Sequence, residues 1–140
     1  MVRSLGLEAR VELSFDEAVT RTKEGLKAEG FGVLTEIDLR GAFREKLNVE
    51  FRPYRILGAC DPKLAHAAIS VEPMVGLLLP CNVTVEASSD RQCTIRATDP
   101  IVLLQSAGLK LPAELQSMAL QARARLERML RTVAGNAAVD

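Results

Sequence analysis

The stretch GLLLPCNVTVEASSDRQCTIRAT, residues 76–98, decides how this chain folds. Cys81, Val83 and Val85 alternate with Asn82, Thr84 and Glu86, and Cys93, Ile95 and Ala97 alternate with Thr94 and Arg96. A period of two is that of a strand with one buried face. Ser88-Ser89-Asp90 supplies a turn, so Asn82–Ala87 and Arg91–Ala97 read as an antiparallel hairpin. Setting Ala87 opposite Arg91 places Cys93 opposite Val85 and Cys81 opposite Ala97. Those cysteines are then roughly 13 Å apart at strand rise, too far for a disulfide. Just upstream, Met74 to Leu79 holds the most apolar run, VGLLL, and reads as a central strand. Pro80 cannot donate a ladder hydrogen bond and should mark a bulge or an edge. Simple alternation buries Cys81 and exposes Asn82; a bulge at Pro80 would instead aim both side chains into a cleft.

Toward the N-terminus, Leu7, Ala9, Val11 and Leu13 alternate with Glu8, Arg10 and Glu12, again a strand. Ser14-Phe15-Asp16-Glu17 forms a capping box, followed by a helical stripe of Phe15, Ala18, Val19, Thr22 and Leu26. Gly30 ends that helix, and Phe31 to Ile37 is a second strand. Asp38 caps a short helix carrying Leu39, Ala42, Phe43 and Leu47. Pro53 closes a loop before a third strand, Tyr54 to Ala59. Asp61-Pro62 then opens a helix that runs to about Val71, with Leu64, Ala68 and Val71 on its apolar side.

Downstream, Asp99-Pro100 opens a short helix ended by Gly108. A long helix begins near Pro112, with Leu115, Met118, Ala119, Ala122, Leu126, Met129, Leu130 and Val133 on one stripe. The tail 135–140, GNAAVD, is expected to fray. The order of elements predicts one α+β domain with its core over about residues 7–134. An antiparallel-rich sheet should be covered on one face by helices, the long C-terminal helix among them.

The chain has 140 residues, 48% of them hydrophobic, enough for one globular core. Eighteen basic and eighteen acidic residues give zero net charge, which removes the electrostatic argument for nucleic acid or an anionic membrane. One tyrosine and no tryptophan leave little surface for stacking on bases. No run approaches the ~18 apolar residues of a membrane span, and MVRSLGLEAR lacks a signal-peptide core, so a cytoplasmic location is expected. Cys60, Cys81 and Cys93 fit neither a CxxC nor a zinc-finger spacing.

In GACDPKLAH, residues 58–66, Cys60 stands just ahead of a helix cap, where the dipole favours a thiolate. Burial and Asp61 oppose that, so a structural, mostly neutral and slowly reacting thiol is expected. His66, the one histidine, lies away from Leu64 and reads as exposed. Arg123, Arg125, Arg128 and Arg131 read as a solvated basic face that complements the helix dipole.

Taken together, LTEIDLRGAFREKL, YRILGACDP and GLLLPCNV resemble the bacterial and archaeal family called domain of unknown function 302, over about residues 7–130. The resemblance implies a TBP-like α+β fold and a homodimer. Its pattern falls on Glu36, Lys46, Tyr54, Gly58, Cys60, Pro62, Gly76, Pro80, Cys81 and Asn82. Asp61 stands where the family usually has Asn; it still caps a helix but opposes ionisation of Cys60. Fold likeness to TBP carries no DNA binding with it.

These observations point to a homodimeric module that binds a small ligand or a protein partner, with no nucleic acid and no membrane. The candidate ligand-binding residues are Glu36, Lys46, Tyr54, Cys60, Pro80, Cys81 and Asn82. No catalytic residue stands out and no cofactor is named by the sequence. The alternative is a thiol-dependent metal, haem or sulfur-handling site built from Cys60 and Cys81.

Overall fold

The computed structural model describes residues 4–108 and 110–135. Five strands form one antiparallel sheet in the order β1–β5–β4–β3–β2: β1 (Gly6–Val11), β2 (Gly32–Asp38), β3 (Tyr54–Cys60), β4 (Cys81–Ser89) and β5 (Gln92–Thr98). The helices are α1 (Phe15–Ala28), α2 (Leu39–Leu47), α3 (Pro62–Val71), α4 (Pro100–Ser106) and α5 (Ala113–Val133). The α+β architecture and the long C-terminal helix match the sequence expectation. The frayed-tail expectation falls mostly on residues 136–140, outside the described residues.

Register stacks the apolar parities into layers. Leu7, Ala97, Val83 and Leu57 form one row across four strands; Ala9, Ile95 and Val85 form the next. All seven are buried. Over them α5 lays Leu115, Ala119, Ala122, Leu126, Met129, Leu130 and Val133, and α1 adds Ala18, Val19, Thr22 and Leu26. Each fully buried leucine removed from water stabilises the fold by roughly 1.5–3 kcal/mol.

Local signals start and stop the helices. Ser14 Oγ accepts from Glu17 N at 3.3 Å, but Glu17 turns to Arg21 at 2.6 Å instead of reaching back, so the capping box is half made. Asp38 and Asp99 accept from Gly41 N and Ile101 N at 3.0 and 2.9 Å. Gly30 takes φ +88°, the left-handed conformation that releases the chain from α1 into β2.

Three expectations are corrected. The VGLLL run is a 3-10 helix, Pro73–Leu78, not a central strand. A short apolar run is ambiguous between strand and buried helix; here prolines bound it on both sides and only Val75 is buried, Leu77 being 78% exposed. Pro80 therefore sits ahead of β4 and not within a strand. The hairpin is also tighter than expected. β4 continues to Ser89, which pairs with Gln92 past a bulge, so Cys93 faces Ala87 and Ala97 faces Val83. That shift of two positions keeps every side chain on its expected face, and all three cysteines are free. Finally, Val71 is exposed, because α3 ends as the chain turns away toward Pro73.

Because Leu126 is fully buried beneath the sheet, Leu126→Ala should destabilise by about 2–5 kcal/mol through the cavity it leaves. A denaturant midpoint equal to that of the native sequence would remove α5 from the core.

Candidate functional site

The end of β3 and the start of α3 were the first candidate. Asp61 Oδ1 accepts from Lys63 N and Leu64 N at 3.2 and 3.3 Å, while its other oxygen pairs with Arg125 of α5. Arg125 also donates to Glu29 O at 3.0 Å and lies 4.8 Å over the Phe31 ring. The arginines of α5 are thus no free solvated face. Arg128 grips the Glu29 carboxylate at 2.8 Å, Arg123 holds Asp99 at 2.9 Å, and Arg131 pairs with Glu127 at 3.0 Å. Arg125, Arg128 and Arg123 tie α5 to the cap of α3, the end of α1 and the cap of α4. Sequence spacing could not pair residues so far apart along the chain.

Cys60 is half-buried and shares strand parity with Gly58, whereas Cys81 is buried and faces the core beside Ala59. Their strand positions put the two thiols on opposite faces. Burial first, then the Asp61 carboxylate, pushes the Cys60 thiol up. Burial first, then Cys60 and Asp61, pushes Cys81 up to about 11. Burial likewise raises Cys93, whose Sγ lies 3.5 Å from Leu13 O. At both members of the suggested pair burial thus disfavours the thiolate, the form that attacks or ligates. Among the described residues, no three histidine, cysteine or carboxylate side chains cluster as a metal site. His66 is exposed, as its helical position suggested.

Pro80 has a packing role. Its ring and the Thr35 side chain close over Gly58, where an added Cβ would collide with Thr35 Oγ1 and lie 2.7 Å from Pro80 Cγ. Glycine at 58 is what lets the segment before β4 lie against β3. Glu36 pairs with Lys23 of α1 and Arg55 of β3; the Lys23 hydrogen bond is the main reason its carboxyl is held below the usual range, with Arg55 adding to it. Lys46 is exposed on α2. These two lie apart from Cys60.

Tyr54 and Asn82 are brought together. The sheet face turned away from α5 carries a groove of 540 Å³ lined by Leu5, Gly6, Glu8, Tyr54, Asn82, Thr84, Arg96 and Thr98, among others. Gly6 lets β1 lie close against β5 at one wall, since an added Cβ would come 2.1 Å from the Ala97 carbonyl oxygen. Glu8 and Arg96 of the lining belong to a chain of ion pairs that runs on beyond it: Arg96 binds Glu8 at 2.8 Å and Glu86 at 2.6 Å, and Glu86 also binds Arg52. Burial alone would raise Glu86, but hydrogen bonds from Arg96 and Arg52 overcome it and hold the carboxyl below its ordinary value. Thr84 Oγ1 is buried with no hydrogen-bond partner, a state that costs about 1–3 kcal/mol. Thr84, Glu8, Glu86 and Arg96 were missed as site residues. Their signal was the polar parity of three adjacent strands, legible only once register is known.

The sequence profile of the domain of unknown function DUF302 matches residues 7–133. The chain belongs to this family. It is similar to the crystal structure of an uncharacterized conserved DUF302 protein from Bacillus stearothermophilus, with a TM-score of 0.80 and 26% identity, covering 94% of this chain and 99% of that one. No curated protein matches.

Two outcomes follow from this geometry. Asp61→Ala should lose about 1–3 kcal/mol, while Asp61→Asn, which keeps a capping oxygen, should recover about 0.5–2 kcal/mol of it; equal denaturation midpoints for the two would remove the cap. The raised thiols set the second. Above roughly pH 8.5 the unfolded chain releases thiol protons that the folded chain retains, so stability falls with rising pH. Replacing Cys81 by Ala should flatten that alkaline decline between pH 8 and 10.5, measured as melting temperature against pH.

Proposed function

We propose that this DUF302 domain is a non-catalytic binding module that works as a homodimer and takes a small ligand on the uncovered face of its sheet. The observation that carries the reading is the 540 Å³ groove beside Tyr54 and Asn82, a volume within the range of small-molecule sites. It moves the centre of the candidate site from the cysteines to the strands beside them. Cys60, Pro80, Cys81, Glu36 and Lys46 lie outside the groove lining. The groove lining includes no histidine, and Glu8 is engaged by Arg96, which favours binding over acid–base chemistry.

The dimer reading rests on apolar exposure. Leu34 and Ile37 lie exposed on the sheet-edge strand β2, and Leu47 and Val49 are exposed at the end of α2 and just beyond. Exposed apolar groups beside an unpaired strand edge suit a protein interface. Among the described residues no helix is long and apolar enough to cross a membrane, and a cytoplasmic location remains part of the proposal.

Sedimentation equilibrium tests the assembly: the native sequence should sediment as a dimer, and a Leu34→Asp/Ile37→Asp variant as a folded monomer. A native monomer at high protein concentration would overturn the dimer. Native mass spectrometry of protein taken directly from cells tests the groove, since Tyr54→Ala and Asn82→Ala should lose a small molecule that the native sequence retains. Retention unaffected by both substitutions would place the ligand elsewhere.

A further inference from the structure

We infer that the sheet-face groove selects an uncharged ligand, one that joins an apolar body to a hydrogen-bonding head such as a carboxamide. This rests on the groove being a binding site and adds the chemistry it would recognise.

The charges around the groove satisfy one another. Arg96 is the cation in its lining, and its guanidinium is shared between Glu8 at 2.8 Å and Glu86 at 2.6 Å. Glu86 is held from its other side by Arg52. Two acids and two bases alternate along Arg52, Glu86, Arg96 and Glu8. An anionic ligand that reaches the donors Arg96 leaves unused meets the repulsion of the two carboxylates beside them. A cationic ligand would have to displace Arg96 from a carboxylate or accept its repulsion. In either case little net attraction is left to offset desolvation of the ligand charge. A neutral ligand meets no such exchange.

The unmet polarity of the groove lining is neutral. Thr84 sits between Ile56 and Arg96 in one cross-strand row, and its buried hydroxyl lacks a partner. A hydroxyl both donates and accepts, so it matches a head group that offers either. Asn82 presents a carboxamide on the next position of that face, and the half-buried Tyr54 stands on the opposite side of Thr84 along the ladder. Leu5, largely exposed, gives the wall its apolar side chain.

Benzamide, benzoate and benzamidinium share a ring and a shape but differ in charge, and titrating each into isotope-labelled protein by NMR separates the possibilities. Benzamide should shift the amides of Asn82, Thr84 and Ala97 and bind more tightly than either ion. Thr84→Val, which deletes a buried unpaired hydroxyl and should not unfold the chain, should weaken benzamide about three- to tenfold, the worth of one hydrogen bond. Arg96→Gln, which frees Glu8 and leaves Glu86 to Arg52 alone, should turn the preference toward benzamidinium. Tighter binding of benzoate or benzamidinium to the native groove would overturn the inference while leaving the groove a binding site. Benzamide affinity unchanged in Thr84→Val would also overturn it. Shifts confined to residues outside the groove for all three probes would overturn the groove itself.

Discussion

The apolar stripe of α5 closes the helix-facing side of the sheet, and the rest of the molecule is arranged around keeping it there. Leu126, Met129 and Leu130 are fully buried against rows of valine, isoleucine, leucine and alanine that four strands bring into line. Burial of this kind is non-directional; it explains why the helix lies on the sheet but not its angle or its register. Those come from the polar contacts at its margin.

Arg123, Arg125 and Arg128 supply that direction. Each reaches a carboxylate at a helix end: Asp99 and Asp61, which cap α4 and α3, and Glu29 at the close of α1. A cap that also holds an ion pair fixes two things at once, the start of its own helix and the position of α5 beside it. This is why Asp61, one residue after Cys60, is better understood as a joint of the fold than as part of a reactive thiol site. The same carboxylate adds to the burial that pushes the Cys60 and Cys81 thiols up.

With one face sealed, the other is left to the alternate residues of the strands, which are mostly charged or hydroxylated. Their ion pairs satisfy most of the polarity within the face itself. The groove beside Gly6 and the unpartnered Thr84 hydroxyl are the exceptions, and a binding surface is most plainly marked where the fold leaves a polar group without a partner.

Strand parity, helix stripes and capping residues are local patterns, so the sequence by itself determined the α+β class, the long C-terminal helix, the free cysteines and which face each β4 or β5 residue occupies. The hairpin register could be misplaced by two positions without disturbing those faces, since the side-chain period is also two. VGLLL was misread because apolarity alone does not separate a strand from a short helix; the bounding prolines and exposed Leu77 decide it. Tertiary structure alone decided which charges meet. Glu8 finds Arg96, Asp61 finds Arg125 and Glu36 finds Lys23 and Arg55 across long stretches of chain. It likewise set Cys60 and Cys81 at opposite strand parities while drawing Tyr54, Asn82 and Thr84 into one groove, because proximity across a sheet depends on register and strand order, neither of which is written in any single segment.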